Sequence, residues 1–162
     1  MTIRVAQDED WDQIWPIFEE IVKAGETYAY ERDIQKQEAF FIWLKRTKKA
    51  FVYEAGGKVL GTYFLNPNKA GPGKHVCNCG YMVSSEAGGR GIATAMCEHS
   101  QKTAIQMGFK AMQFNFVTST NVGAIALWHK LGFETVGTLP KAFNHPKEGF
   151  IDALVMYKWL TN

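Results

Sequence analysis

No charge of one sign dominates this sequence: 18 Lys and Arg stand against 16 Asp and Glu, a net of +2. Nucleic-acid domains usually carry a concentrated basic excess, so nucleic acid is not expected as a partner. No run approaches the roughly 18 uncharged apolar residues of a membrane span, so a membrane is not expected either. The opening Met1-Thr2-Ile3-Arg4-Val5 has no apolar signal-peptide core, and a cytoplasmic protein is expected. Cysteine is scarce: Cys77, Cys79 and Cys97 are odd in number and unlike a secreted framework, which predicts reduced thiols. There is no low-complexity segment and no internal repeat. What is present is core material: 46% hydrophobic and 14% aromatic residues exclude disorder. The 162 residues fit a single domain over 1–162.

Periodicity gives the order of elements. Ile3 to Ala6 reads as a strand. Asp8 is placed to cap a helix in which Trp11, Ile14, Ile17, Phe18, Ile21 and Val22 recur at three- and four-residue steps. Pro16 is placed to kink it and Gly25 to end it. The aromatic stretch from Glu26 to Arg32 reads as a loop, and a second helix is predicted over 34–48. Residues 51–55 and 58–65, joined by Gly56-Gly57, read as a hairpin. A loop over 66–74 precedes a strand over 75–83. Glycines 88, 89 and 91 then lead into a helix that ends at Gly108. A strand over 111–117 and a short helix over 121–131 follow. Two strands, 133–139 and 150–159, flank a predicted loop over 140–149. The class is α/β, with helices on both faces of the sheet.

The segment Tyr81-Met82-Val83-Ser84-Ser85-Glu86-Ala87-Gly88-Gly89-Arg90-Gly91-Ile92-Ala93 is the most informative. A strand ends, glycines turn the chain, and a helix begins. Glycines let backbone N–H groups converge, and the helix start adds unpaired donors and a positive dipole end. That suits a pyrophosphate. The spacing is neither G-x-G-x-x-G nor G-x-x-x-x-G-K-[ST], so by itself it reads equally as an ordinary glycine-rich turn.

The stretch Gly88 to Ala93 resembles the acyl-CoA-binding motif of the GNAT superfamily of N-acetyltransferases. A second signature lies downstream, an Asn opening a helix that ends in L-G-F, here Asn121 to Phe133. The order of elements matches that family across nearly the whole chain. Thr27-Tyr28-Ala29-Tyr30 and Asp152 to Met156 resemble the small-molecule branch that includes phosphinothricin acetyltransferase. The resemblance implies a mixed, mostly antiparallel central sheet with a splayed parallel pair. It implies acetyl-CoA as co-substrate, no metal, and a homodimer. Met82, Val83 and Ser84, then Gly88, Gly89, Arg90, Gly91, Ile92, Ala93 and Thr94, and later Asn121 and Trp128, are implied to hold acetyl-CoA. A backbone N–H at Met82 is implied to stabilise the oxyanion. The acceptor is implied to be a small-molecule amine, an amino acid or an analogue, attacking directly in a ternary complex. Thr27, Tyr28, Tyr30 and Asp152 are implied to meet it. A peptide acceptor and a non-catalytic acyl-CoA-binding module are the alternatives.

There are two departures from the family pattern. Gly88 stands where the motif begins with Gln or Arg. Trp128 stands where many relatives place a Tyr that protonates the leaving thiolate, and an indole only donates. Candidate bases are Glu26, Glu31 and Asp152, each of which reads first as a solvated or capping carboxylate and second as a base. Asn78 lies where some relatives place a basic carboxylate; an amide can orient water or substrate but not take the proton. His129 is about 100° around the helix from Trp128. His75, Cys77 and Cys79 alternate along one strand, which reads first as buried packing and second as metal ligation or, for Cys79, an acyl-accepting thiol. Tyr28, Tyr30 and Trp43 read as an aromatic wall or as core. His145 reads as a solvated loop residue.

Overall fold

The computed structural model describes residues 1–161. In chain order the strands are β1 (Thr2–Val5), β2 (Lys49–Ala55), β3 (Lys58–Pro67), β4 (Val76–Val83), β5 (Ala111–Thr118), β6 (Glu134–His145) and β7 (Gly149–Trp159). The helices are α1 (Trp11–Ala24), α2 (Lys36–Phe40), α3 (Ile92–Gln106) and α4 (Val122–Lys130). The strands form one sheet in the order β1-β2-β3-β4-β5-β7-β6. Every neighbouring pair is antiparallel except β4–β5, which is parallel. The mixed, mostly antiparallel sheet expected from the sequence is therefore the observed one.

Two cores sandwich the sheet. On one face α3 and α4 bury Ile92, Met96, Cys97 and Trp128 against Tyr63, Met112, Phe114 and Met156. On the other face α1 and α2 bury Trp11, Ile14, Phe18, Val22 and Ala39 against Val52, Val59 and Met82. The helical stripe of α1 lies buried as its spacing demands, each large side chain contributing roughly 1.5–3 kcal/mol. Among the described residues no helix is long and apolar enough to cross a membrane.

Three local expectations are corrected. The chain enters α1 through a 3-10 turn at Asp8–Asp10, and Asp10 does the capping. Its carboxylate accepts the Gln7 N–H at 2.7 Å and both Arg4 Nη groups at 2.8 Å, while Asp8 pairs instead with Lys45. The helix predicted over 34–48 is a five-residue α2 followed by a π-helical turn at Phe41–Lys45, closed by Arg46 N–H to the Phe41 carbonyl at 2.8 Å. The wide turn seats Trp43, which is fully buried and donates to Thr62 Oγ1 at 3.0 Å. The loop predicted over 140–149 is mostly strand. A bulge between Leu139 and Phe143 takes up Pro140, which has no N–H to give a ladder. Lys141 has φ 52, and its N–H is held by Asp152 Oδ1 at 2.9 Å.

Candidate active site

The parallel pair is short. Its rungs run only from Val76↔Ala111 to Asn78↔Gln113, after which β4 and β5 separate. A bulge in β5 between Phe114 and Val117 bends that strand away. At the last rung Asn78 Nδ2 donates to the Gln113 carbonyl at 3.0 Å. A cavity of about 700 Å³ opens where the strands part. Its wall draws on both cores: Phe114 and Trp128 from one face, Tyr28, Tyr30, Phe64 and Met82 from the other.

Strand alternation decides which backbone groups face this gap. The β3–β4 register is unbroken from Gly61↔Val83 to Pro67↔Cys77. Hydrogen bonds from Ser84 N–H to Leu60 and from Asn68 N–H to Val76 bracket it. In an antiparallel ladder the hydrogen-bonded pairs alternate, so Met82 turns its N–H toward β3. Tyr81 and Val83 turn theirs toward the gap. The Met82 N–H expected at the gap is thus turned away from it, and the neighbouring Tyr81 N–H faces it instead. The Met82 side chain is buried but lines the cavity.

Beyond Val83 the chain makes a 3-10 turn at Ser85–Ala87 and reaches α3 through Gly88 to Gly91. Gly89 and Gly91 have φ of 75° and 74°. Nothing lies within 4 Å of a Cβ built on either, so conformation and not crowding requires glycine there. Arg90 is exposed and forms no ion pair among the described residues, whereas Lys58 pairs with Glu86. The first N–H groups of α3, at Ile92, Ala93 and Thr94, have no carbonyl behind them in the helix. Ala93 lines the cavity. From α4, Asn121, Gly123, Ala124, Leu127 and Trp128 line it as well. Trp128 is wedged between Tyr81 and Phe114, each ring centroid 5.1 Å away. His129 points elsewhere, with Nδ1 3.0 Å from the Phe133 carbonyl.

This arrangement fits a nucleotide thioester in its parts: two backbone N–H groups turned to the gap on a strand edge, an N-terminal helix end beyond it, and an apolar slot beside them.

The opposite half of the cavity is aromatic. Tyr28 and Tyr30 stack 5.7 Å apart, and Tyr28 donates to the Tyr81 carbonyl at 2.7 Å. Trp43 stands behind Tyr28 and does not line the cavity. Gly80 permits the approach, since a Cβ there would lie 2.7 Å from Phe64 Cε1 and 3.1 Å from the Tyr28 hydroxyl. Thr27, Asn115 and Phe116 complete the wall. Asn115 is fixed by Gln113 at 2.9 Å and Asn68 at 2.7 Å. Gly80, Tyr81, Phe64, Asn115 and Phe116 were missed by sequence reasoning. The lone glycine inside a strand was the available signal for a close approach.

No Asp, Glu, His, Lys or Arg lines this cavity among the described residues. Glu26 is ion-paired with Lys147 at 2.6 Å, and that hydrogen bond holds its carboxyl below the usual range. Asp152 is committed to the Lys141 N–H and lies outside the lining. Both are therefore displaced from the acceptor-facing roles expected of them: Glu26 as base by its cationic partner, Asp152 as a substrate contact because from β7 it caps the Lys141 N–H in the β6 bulge. Burial pushes Tyr28 and Tyr81 well above their ordinary values and Tyr30 up to about 12, so the phenols stay protonated donors. Burial also lifts the Cys79 thiol well above its ordinary value. His75 is exposed and bonds Pro72, and no cluster of metal-ligating side chains occurs among the described residues. His145 is buried, not solvated, and its Nδ1 accepts the N–H groups of Lys147 and Glu148 at 3.1 Å.

A profile of the acetyltransferase (GNAT) family matches residues 11–133. The chain is 34% identical over 98 residues to an N-acetyltransferase of Schizosaccharomyces pombe, aca1, covering 60% of this chain. It spans about half the length (47%) of that curated relative. A GCN5-related N-acetyltransferase from Kribbella flavida superposes with a TM-score of 0.93 at 41% identity, covering 98% of this chain and 96% of that one. A GNAT superfamily phosphinothricin acetyltransferase from Sinorhizobium meliloti, solved in complex with acetyl-CoA, superposes with a TM-score of 0.84 at 23% identity. It covers 98% of this chain and 87% of that one, a likeness of fold.

Proposed function

Because the chain belongs to the acetyltransferase (GNAT) family, we propose that it moves an acetyl group from acetyl-CoA to the amine of a small molecule, an amino acid or an analogue of one. The observation that carries this reading is a single cavity. It lies where β4 and β5 part and is walled by residues of both cores, with a helix N-terminus at one side and an uncharged aromatic pocket at the other.

On the donor side, backbone N–H groups from Gly88 to Thr94, with Arg90 beside them, hold the pyrophosphate. Val83 offers its N–H and carbonyl to the pantetheine amides as a neighbouring strand would. Acetyl-CoA supplies an activated thioester carbonyl. The Tyr81 N–H faces the gap, where it stabilises negative charge developing on a carbonyl oxygen. Trp128 packs beside it and supplies bulk, not a titratable proton.

On the acceptor side, Asn78 is oriented by its Nδ2 bond to Gln113, which leaves Oδ1 to receive an N–H of the amine. An alkyl ammonium has a reference pKa near 10.4. The lining holds no group that accepts its proton near neutral pH: the phenols are protonated, and Glu26 is paired. The amine therefore sheds its proton to water and attacks as the neutral form. Cys79 is protonated and buried, so transfer is direct, with no acyl-enzyme: the C–N bond forms, the C–S bond breaks, and the proton lost from the nitrogen reaches the departing CoA thiolate through solvent. The homodimer and the cytoplasmic location belong to the same proposal.

Calorimetric titration with acetyl-CoA, followed by thiol release over a panel of amino acids and simple amines, tests the reading. Saturable binding with release on at least one small amine is expected. Binding without release on any of them turns the assignment to a peptide acceptor or a binding module. No binding overturns it.

A further inference from the structure

A second, smaller cavity of about 240 Å³ adjoins the acceptor pocket. The two share Tyr28, Ala29, Tyr30 and Phe116, so they meet along the stacked tyrosines. The main cavity offers only neutral groups. The second contains the charged side chains of Glu31 and Arg32.

Arg32 is held in place from two directions. Its Nε donates to the Lys23 carbonyl at 2.8 Å, at the C-terminal end of α1. Its Cδ and Nε also lie 2.8 Å from where a Cβ on Gly25 would stand, so the bare backbone of Gly25 is its seat. Gly25 has φ 67 and closes α1, so one residue both ends the helix and admits the arginine. With Nε engaged, the two Nη groups form an open fork. They make no hydrogen bond and no ion pair among the described residues, although Glu31 is adjacent in sequence. Glu31 has no fixing contact of this kind. A positioned guanidinium with a free planar fork matches a carboxylate in shape and charge.

Building on the acetyltransferase reading, we infer that Arg32 binds a carboxylate carried by the acceptor. The amine points toward Asn78 and the acid toward Arg32 across the edge that the two cavities share. The main pocket then selects the neutral amine end, and the side cavity selects acids over plain amines. Arg32 is a specificity-determining residue and takes no part in the transfer itself.

The test uses the full chain loaded with CoA and two probes that differ only in the acid, N-acetylglycine and N-acetylglycinamide. The acid is expected to bind at least about tenfold tighter to the wild-type protein, the size of one charge-assisted contact. Arg32→Gln is expected to abolish that difference and Arg32→Lys to restore part of it, with melting temperatures lowered only modestly by loss of the bond to the Lys23 carbonyl. Equal affinity of acid and amide, binding of neither, or a difference that survives Arg32→Gln overturns the inference. Thiol release by wild type and Arg32→Gln gives the parallel readout, a raised KM for amino acids with kcat retained, and no change for ethylamine. Absence of thiol release with every amine would overturn the transferase reading while the acid–amide comparison still decides the role of Arg32.

Discussion

The side-chain amide of Asn78 bonds the Gln113 carbonyl at the last rung before β4 and β5 part, at 3.0 Å. One side chain thus finishes the ladder and presents its remaining oxygen to the gap. Asn78→Ala removes both roles. The expected outcome is a loss of about 1 kcal/mol in stability and a marked fall in kcat on any amine. Acetyl-CoA affinity should stay unchanged. Calorimetry and thiol release on the same preparation separate the two effects, and an equal loss of acetyl-CoA binding would place Asn78 on the donor side.

Gly91 is the entry residue of α3 at φ 74, with open space where a side chain would go. Gly91→Ala should cost roughly 1 kcal/mol, because a Cβ strains this backbone conformation without hitting anything. Gly91→Glu adds a negative charge at the expected pyrophosphate position and should abolish acetyl-CoA binding. Affinity unchanged in the Glu variant would refute the site.

Trp128 lies between Tyr81 and Phe114 and is almost wholly buried. Trp128→Ala should destabilise the fold by roughly 3–5 kcal/mol, as for other large buried aromatics. Trp128→Phe keeps most of the packing and lacks the indole N–H. It should retain turnover, since that N–H does not titrate. A hundredfold loss in a folded Phe variant would give the indole a direct role.

With no ionisable base on the wall, kcat/KM should rise tenfold per pH unit until the pKa of the amine itself. The break should move when an amine of different pKa is used; a fixed break near neutrality would reveal a protein base. Glu26→Gln should leave the profile in place. The Glu26 pKa is lowered by Lys147, so its small contribution to stability is present above its unfolded value of about 4.3 and fades as pH falls through the lower folded one.

Cys79 lines the cavity as a buried thiol that burial keeps protonated. Cys79→Ala should preserve turnover, with a modest drop in melting temperature. Complete loss in a folded variant would point to a covalent route.

The glycine-rich turn, the order of elements and the aromatic loop were legible because each depends on neighbours in sequence. Gly89 and Gly91 declare a backbone conformation by their identity alone. The facing of Met82 and Tyr81 was not legible, because it follows from a hydrogen-bonding register set by β3, which lies some twenty residues earlier. Asp152 looked available for the same reason: its partner, the Lys141 N–H, is exposed by a bulge that only the β6–β7 pairing reveals. The helix over 34–48 was overread because its apolar run hid the π turn that seats Trp43. The Arg32 cavity closes only when Phe143 and Asn144, from the distant hairpin, meet the aromatic loop.

A cavity walled from both faces of the sheet lets each reactant have its own doorway. On the proposed reading, CoA and the acetylated product do not block one another's exit, and each should inhibit competitively only against the reactant that shares its side. A single molecule with the amine joined through the sulfur of CoA would occupy both doorways at once. Such a tethered compound collects two binding energies for one loss of free motion, and should bind 10²- to 10⁴-fold more tightly than either half, by the usual arithmetic of roughly millimolar effective concentrations.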